Sequence, residues 1–159
     1  CRLIFEQRIW IQITHWYFLF KQFRRIFICW KNEKNILVGV IYRPCRPDQD
    51  VQEFCNQLEQ LLSIVSKNNK YCILLGDWNL DLMTHSKHRL TAEFLDLMYS
   101  KSFFPLIRRF TRITCHTATS VDNIFINDNN KECKSGILFS DITDHLTGFF
   151  LLFPRKYCR

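Results

Sequence analysis

Hydrophobic positions along this chain follow two distinct rhythms. Val51, Phe54, Cys55, Leu58, Leu61, Leu62 and Val65 recur at spacings of three and four. That period lines them up on one stripe of an α-helix. Pro44 and Pro47 stop the segment before it, and Asp48 or Asp50 offers an N-cap. A second helix is expected from about residue 90 to 100, with Leu90, Phe94, Leu97 and Met98 on one face. Elsewhere the apolar residues come in short, β-rich runs. Residues 26–30 and 36–42 flank the polar stretch 31–35, which has hairpin length, so an antiparallel pair is expected. Residues 72–75 are apolar without alternation, the mark of a strand buried on both faces. The first helix is expected to cross from the hairpin to this strand, with 67–70 as the connecting loop. Further strands are expected at 103–107, 121–126, 136–139 and 148–153, with 110–114 another strand or a loop beside the first. No internal repeat or linker marks a second domain.

Polar residues interrupt this pattern at strand ends. Gly76 closes the apolar run and frees the backbone to turn. Asp77 and Asn79 follow just past the strand's carboxyl end, where α/β sheets bind ligands. Residues i and i+2 of an extended segment point the same way, so both polar heads can face one cavity. An ordinary strand exit with turn-forming Asp and Asn explains the same residues equally well. Three further clusters behave alike: Tyr42-Arg43, Ser120 with Asp122, and Asp144-His145. A carboxylate at the head of a strand is costly to bury unless paired. Gathered together, these groups suit phosphodiester hydrolysis. A hard divalent cation takes carboxylate oxygens and polarises the phosphoryl group. A carboxylate aligns or deprotonates the attacking water. Asn or Tyr donors steady the non-bridging oxygens.

Composition narrows the picture further. The chain has 159 residues, 47% hydrophobic with 15 Phe, enough for one domain with a substantial core. Its net charge of +7 favours an acidic partner such as nucleic acid, though a merely soluble basic surface fits as well. None of the eight cysteines forms a CxxC pair, which argues against a zinc ribbon. They read as reduced thiols, with Cys55 and Cys72 acting as small hydrophobes. His85 and His88 lack the carboxylate or cysteine pattern of a metal site. Residues 9–20, the most apolar run, are too short and too polar to span a bilayer. Residues 1–25 mix bulky aromatics with Arg and Lys. Such a stretch can lie on nucleic acid or a membrane surface, but packing on the rest of the domain is the better-supported reading.

The order YRP, GDWN, SVDNI and TDH resembles the endonuclease/exonuclease/phosphatase superfamily. The phrases ILVGVIYRPC, ILLGDWNLDL, FLDLMYSKSFFPLI, TRIT, SVDNIFIN and SGILFSDITDHL look most like the endonuclease domain of non-LTR (LINE-type) retrotransposons. The likeness runs from about residue 26 to 153. It implies an α+β fold, a four-layer α/β sandwich of two mainly antiparallel sheets with flanking helices, incomplete at the N-terminus. Residues 1–25 match poorly, and 26–159 would be the C-terminal greater part of the domain. The implied reaction is nicking of one DNA strand by water, with Mg2+ or Mn2+ as cofactor, leaving a 3′ hydroxyl. Asp77 would orient or deprotonate the water, and Asn79 would hydrogen-bond the scissile phosphate. Asp122 would orient His145, which would contact the phosphate. Tyr42 would place its hydroxyl nearby. Asp144 would lie at or next to the metal. Ser120, Thr111 and Arg112 would contact the DNA backbone. The partners implied are DNA, not a membrane, and a reverse transcriptase domain in a longer polyprotein, with an intracellular, nuclear setting.

The departures bear on activity. The family's opening strands carry an Asn and a Glu, the latter its main metal ligand. Leu3-Ile-Phe-Glu6 is a faint counterpart of the second, with Glu6 as the candidate ligand, but it sits too close to Ile36. The chain is therefore expected to be inactive or weak as an endonuclease. The alternatives are a non-catalytic remnant that binds nucleic acid and a phosphatase of the same superfamily.

Overall fold

The computed structural model describes residues 27–33, 36–44, 49–67, 70–139 and 142–153. The segment 1–25 and the candidate ligand Glu6 lie outside the described residues.

Strands β1 (Phe27–Glu33) and β2 (Ile36–Tyr42) form the expected antiparallel pair. β1 runs three residues further than its apolar core suggests. Helix α1 (Gln49–Ser66) then carries the chain across to β3 (Tyr71–Asp77), which lies parallel to β2. A single 3-10 turn (Leu82–Thr84), capped by the Asp81 carboxylate, follows β3. Helix α2 (Arg89–Ser100) follows.

The C-terminal half consists of short strands. β4 is only Phe104–Pro105, because Pro105 has no N–H to extend a ladder and suits a sheet edge. β5 (Arg112–Ile113) and β6 (Ala118–Thr119) make a two-residue hairpin ladder. β7 (Asp122–Ile126) pairs antiparallel with both β3 and β4. β8 (Cys133–Leu138) and β9 (Thr147–Leu152) form a separate two-stranded ribbon.

The central sheet has the order β1-β2-β3-β7-β4. Alternate side chains divide its two faces. Leu37, Ile41, Cys72, Leu74 and Phe125 face α1 and α2 and join one buried cluster with Leu58, Leu62, Trp78, Phe94 and Met98. Ile36, Val38, Ile73, Leu75, Ile124 and Ile126 face the other way, toward Ile137, Phe150 and Leu152 of the ribbon. The fold is α+β, as expected. Among the described residues the strands form this five-stranded sheet and two two-stranded ones, β5-β6 and β8-β9.

Gly76 does something other than end the strand. It lies inside β3 opposite Ile41, at φ +155°, and an added Cβ would sit 1.7 Å from the Ile41 carbonyl oxygen. Only glycine lets the two backbones come this close. Burial pushes the Cys55 and Cys72 thiols up to about 11 and about 12, so both stay protonated as core hydrophobes. Among the described residues no helix is long and apolar enough to cross a membrane.

Candidate active site

Strand register brings the first site residues together. Tyr42 of β2 stands opposite Asp77 of β3, and Asp77 stands opposite Asp122 of β7. Directly opposed residues share a face, so all three project from the ribbon side of the sheet. His145 arrives from the segment before β9. Its Nδ1 lies 2.9 Å from Asp122 Oδ2. One ligand atom each from Asp77, Asp122 and His145 lies within 4.8 Å of the others, a grouping that could hold a metal ion.

The His145 segment is tied down through Thr111. Leu146 N donates to the Thr111 carbonyl at 2.7 Å. Thr111 Oγ1 accepts from Val121 N at 3.1 Å and from Asp122 N at 2.9 Å. One threonine thus fixes both members of the Asp122–His145 pair. The carboxylate accepts from Nδ1–H, which sets the tautomer and leaves Nε2 available.

Asp77 is held from its other side. Its Oδ1 accepts from Asn79 N at 2.9 Å, and its Oδ2 from Asn79 Nδ2 at 3.1 Å. Asn79 takes a left-handed conformation, φ 48°, to make this turn. Burial pushes the Asp77 carboxyl above its ordinary value of 3.8. The Asn79 N–H opposes that shift, and the neighbouring Asp122 carboxylate reinforces it. Between Asp77 and Asn79, Trp78 turns inward and is fully buried. Its backbone N donates to the Val121 carbonyl at 2.9 Å, and its indole Nε1 to the Asn123 carbonyl at 3.2 Å.

The remaining expected residues are spread more widely. Tyr42 is 44% exposed beside Asp77. Asp144 directs its carboxylate to Arg112 Nε at 2.7 Å and is not among the three converging residues. That guanidinium holds the Asp144 carboxyl below the usual range. Thr111 and Ser120, expected to touch DNA, are each only 1% exposed. Thr111 is an internal strut, and Ser120 is tied through its backbone N to Asp81 Oδ1 at 2.9 Å. Arg112 is half-exposed at the rim and bridges to His145 through its backbone. Sequence reasoning missed the struts: Asn123, whose buried amide grips Ile107 on both its N–H and its carbonyl, and Arg43. A polar residue inside an apolar strand was the only signal for Asn123.

No family model matches the chain, and no curated protein matches it. Among solved structures it is similar to the endonuclease domain of TRAS1, a telomere-specific non-LTR retrotransposon. The TM-score is 0.60 at 12% identity, over 79% of this chain and 60% of that one. An endonuclease/exonuclease/phosphatase family protein from Leptotrichia buccalis gives 0.56 at 16% identity, covering 80% of this chain and 53% of that one. The catalytic domain of Xenopus laevis APE2 gives 0.56 at 19% identity, covering 73% and 49%. The chain thus spans about half to three-fifths of the length of these proteins. Likeness at such identities establishes the fold, and the fold of this chain is that of the endonuclease/exonuclease/phosphatase superfamily.

Proposed function

We propose that this chain hydrolyses nucleic-acid phosphodiester bonds with a divalent cation, as a DNA-nicking endonuclease of the retrotransposon type. The observation that carries the reading is the convergence of Asp77, Asp122 and His145 at the end of two adjacent strands. The net charge of +7 favours a polyanionic substrate.

Asp77, with its carboxyl raised and only partly buried, is suited to align the attacking water and accept its proton. Asn79 lies next to it, and because both its Nδ2 hydrogens are engaged, on Asp77 Oδ2 and the Arg43 carbonyl, it would meet a phosphate oxygen by exchanging one of these acceptors. His145, oriented by Asp122, presents Nε2 toward the substrate. Tyr42 adds a hydroxyl on the same face. Arg112 and Asp144 stand at the rim, where Arg112 can exchange its carboxylate partner for a phosphate.

The donor set fits a hard cation such as Mg2+ or Mn2+, which prefers carboxylate oxygens. When bound, it would polarise the phosphoryl group and offset charge on the leaving oxygen. Asp77 and Asp122 would hold it. Each of these carboxylates also accepts a hydrogen bond that orients it, Asp122 from His145 and Asp77 from Asn79. Only two carboxylates converge here among the described residues, so cation affinity, and with it nicking by this chain alone, is expected to be weak.

The test is conversion of supercoiled plasmid to open circles, with Mg2+ or Mn2+ titrated into the millimolar range. The expected result is slow, cation-dependent nicking, lowered about a hundredfold or more by Asp77→Ala and by His145→Ala. Nicking that survives both substitutions, or none at any cation concentration, would refute the proposal. Salt-sensitive DNA binding without cleavage would favour a non-catalytic module instead.

A further inference from the structure

Arg43 entered the sequence reading only as the neighbour of Tyr42. It is 5% exposed, an unusual position for a guanidinium. Its contacts converge on one short segment. Arg43 N donates to the Asp77 carbonyl at 2.9 Å, extending the β2–β3 pairing by one bond. Arg43 Nε donates to the Trp78 carbonyl at 2.7 Å, and Nη2 to the Asn79 carbonyl at 2.6 Å. In return Asn79 Nδ2 donates to the Arg43 carbonyl at 2.6 Å. The guanidinium carbon also sits 5.9 Å from the Phe54 ring centroid, which holds the fork from behind.

Asp77, Trp78 and Asn79 thus each give a backbone carbonyl to a single residue. Asn79 needs such support, since a left-handed conformation costs a non-glycine residue about 1 kcal/mol. The same Asn79 amide that reaches Arg43 also reaches Asp77 Oδ2, so its orientation links the two. We infer that Arg43 is a positioning residue: its fork locks the Trp78–Asn79 turn and thereby holds the Asn79 amide against Asp77, which sets the direction of that carboxylate in the site. This rests on the hydrolase reading for its consequence and on geometry for its mechanism. Lysine cannot replace it, because one ammonium cannot match two successive carbonyls with a rigid planar fork.

Two arms test this on the whole chain. In the native protein labelled with 15N and 13C, a through-hydrogen-bond coupling should join Arg43 Nε to the Trp78 carbonyl carbon, with slow Nε–H exchange. In Arg43→Lys, amide dispersion of β3 and β7 should persist while the Asn79 side-chain amide collapses to the shifts of a solvated amide. Nicking turnover should then fall about ten- to a hundredfold, with KM for DNA within about twofold. Arg43→Lys combined with Asn79→Ala should be no slower than Asn79→Ala alone, because the two act as one unit. A missing coupling with fast exchange would overturn the inference, as would an unchanged Asn79 amide in Arg43→Lys or rate losses that multiply. If Arg43→Lys unfolds, the coupling in the native chain decides. The spectroscopic arm needs no turnover, so a chain that never nicks would defeat the hydrolase reading without deciding the fate of the clamp.

Discussion

On the helix-covered face of the central sheet, Leu58, Leu62, Leu74, Trp78, Phe94, Met98 and Phe125 are all sealed from solvent. On the opposite face, Leu75, Ile137, Phe150 and Leu152 stay partly open beneath a two-stranded ribbon. The candidate site draws on both. Asp77 and Asn79 flank Trp78, whose ring packs 5.3 Å from Phe94 and 5.1 Å from Phe125 between centroids. His145 comes from residues 142–146, which are mostly exposed and are held chiefly by backbone bonds to Thr111 and Ile113. The difference teaches where each function is supported. The helix side fixes the carboxylate and amide, and the ribbon side delivers the imidazole on a thinner scaffold.

The largest expected effect tests that contrast. Trp78→Ala removes a fully buried ring and should cost about 3–5 kcal/mol, read from the denaturant midpoint. Phe150→Ala on the ribbon should cost about 1–2 kcal/mol, because only part of its surface leaves water. Equal costs would mean the two faces carry the fold alike.

Next comes the joint between the two sides. Thr111→Val keeps the shape but strands the N–H groups of Val121 and Asp122. It should cost about 2 kcal/mol and lower nicking together with it, since Asp122 and His145 both depend on Thr111. A variant as stable as the native chain would show that water replaces the hydroxyl.

A smaller effect is set by pH. Burial raises the Asp77 carboxyl above 3.8, so its protonated form is the one the fold favours. The stability it contributes is complete below about 3.8 and is lost as pH rises through the raised folded value. Asp77→Asn should therefore melt higher than the native chain at neutral pH, with the two converging in acid, while nicking disappears. A lower melting point for Asp77→Asn at neutral pH would show that the ionised carboxylate stabilises the fold. Smallest of all is Arg112→Gln, which breaks an exposed pair with Asp144 and should leave the melting point unmoved. Its effect should appear instead as weaker DNA binding with a shallower salt dependence.

Much of the helix side was legible in the sequence. Val51 through Val65 spell out α1 by spacing alone, and the apolar run before Gly76 marks β3 as central. The ribbon side was harder to read. β5 and β6 are two residues each, and β6 is drawn from the polar stretch around Thr119, which has no strand signature. β8 starts at Cys133, earlier than its apolar residues suggest, because pairing with β9 and not burial defines it. The site divides in the same way. The spacing of Asp77 and Asn79 points to a shared cavity on elementary grounds. Nothing in the spacing of Asp122 and His145, 23 residues apart, foretells their hydrogen bond, and that pairing was expected only through resemblance. Arg43 was opaque for a further reason. A basic residue after a strand reads as a solvated end, and only the tertiary contacts with Trp78 and Asn79 give it a role.

The claim that both sides of the molecule meet around one cation is tested most directly by titrating Mn2+ into the 15N-labelled chain. Paramagnetic broadening should strike the amides of Gly76, Asp77 and Asp122 and the imidazole of His145 at the same Mn2+ concentration. It should weaken throughout that set in Asp77→Asn. Broadening confined to exposed acidic residues such as Glu59 or Asp96, with His145 unaffected, would contradict the account.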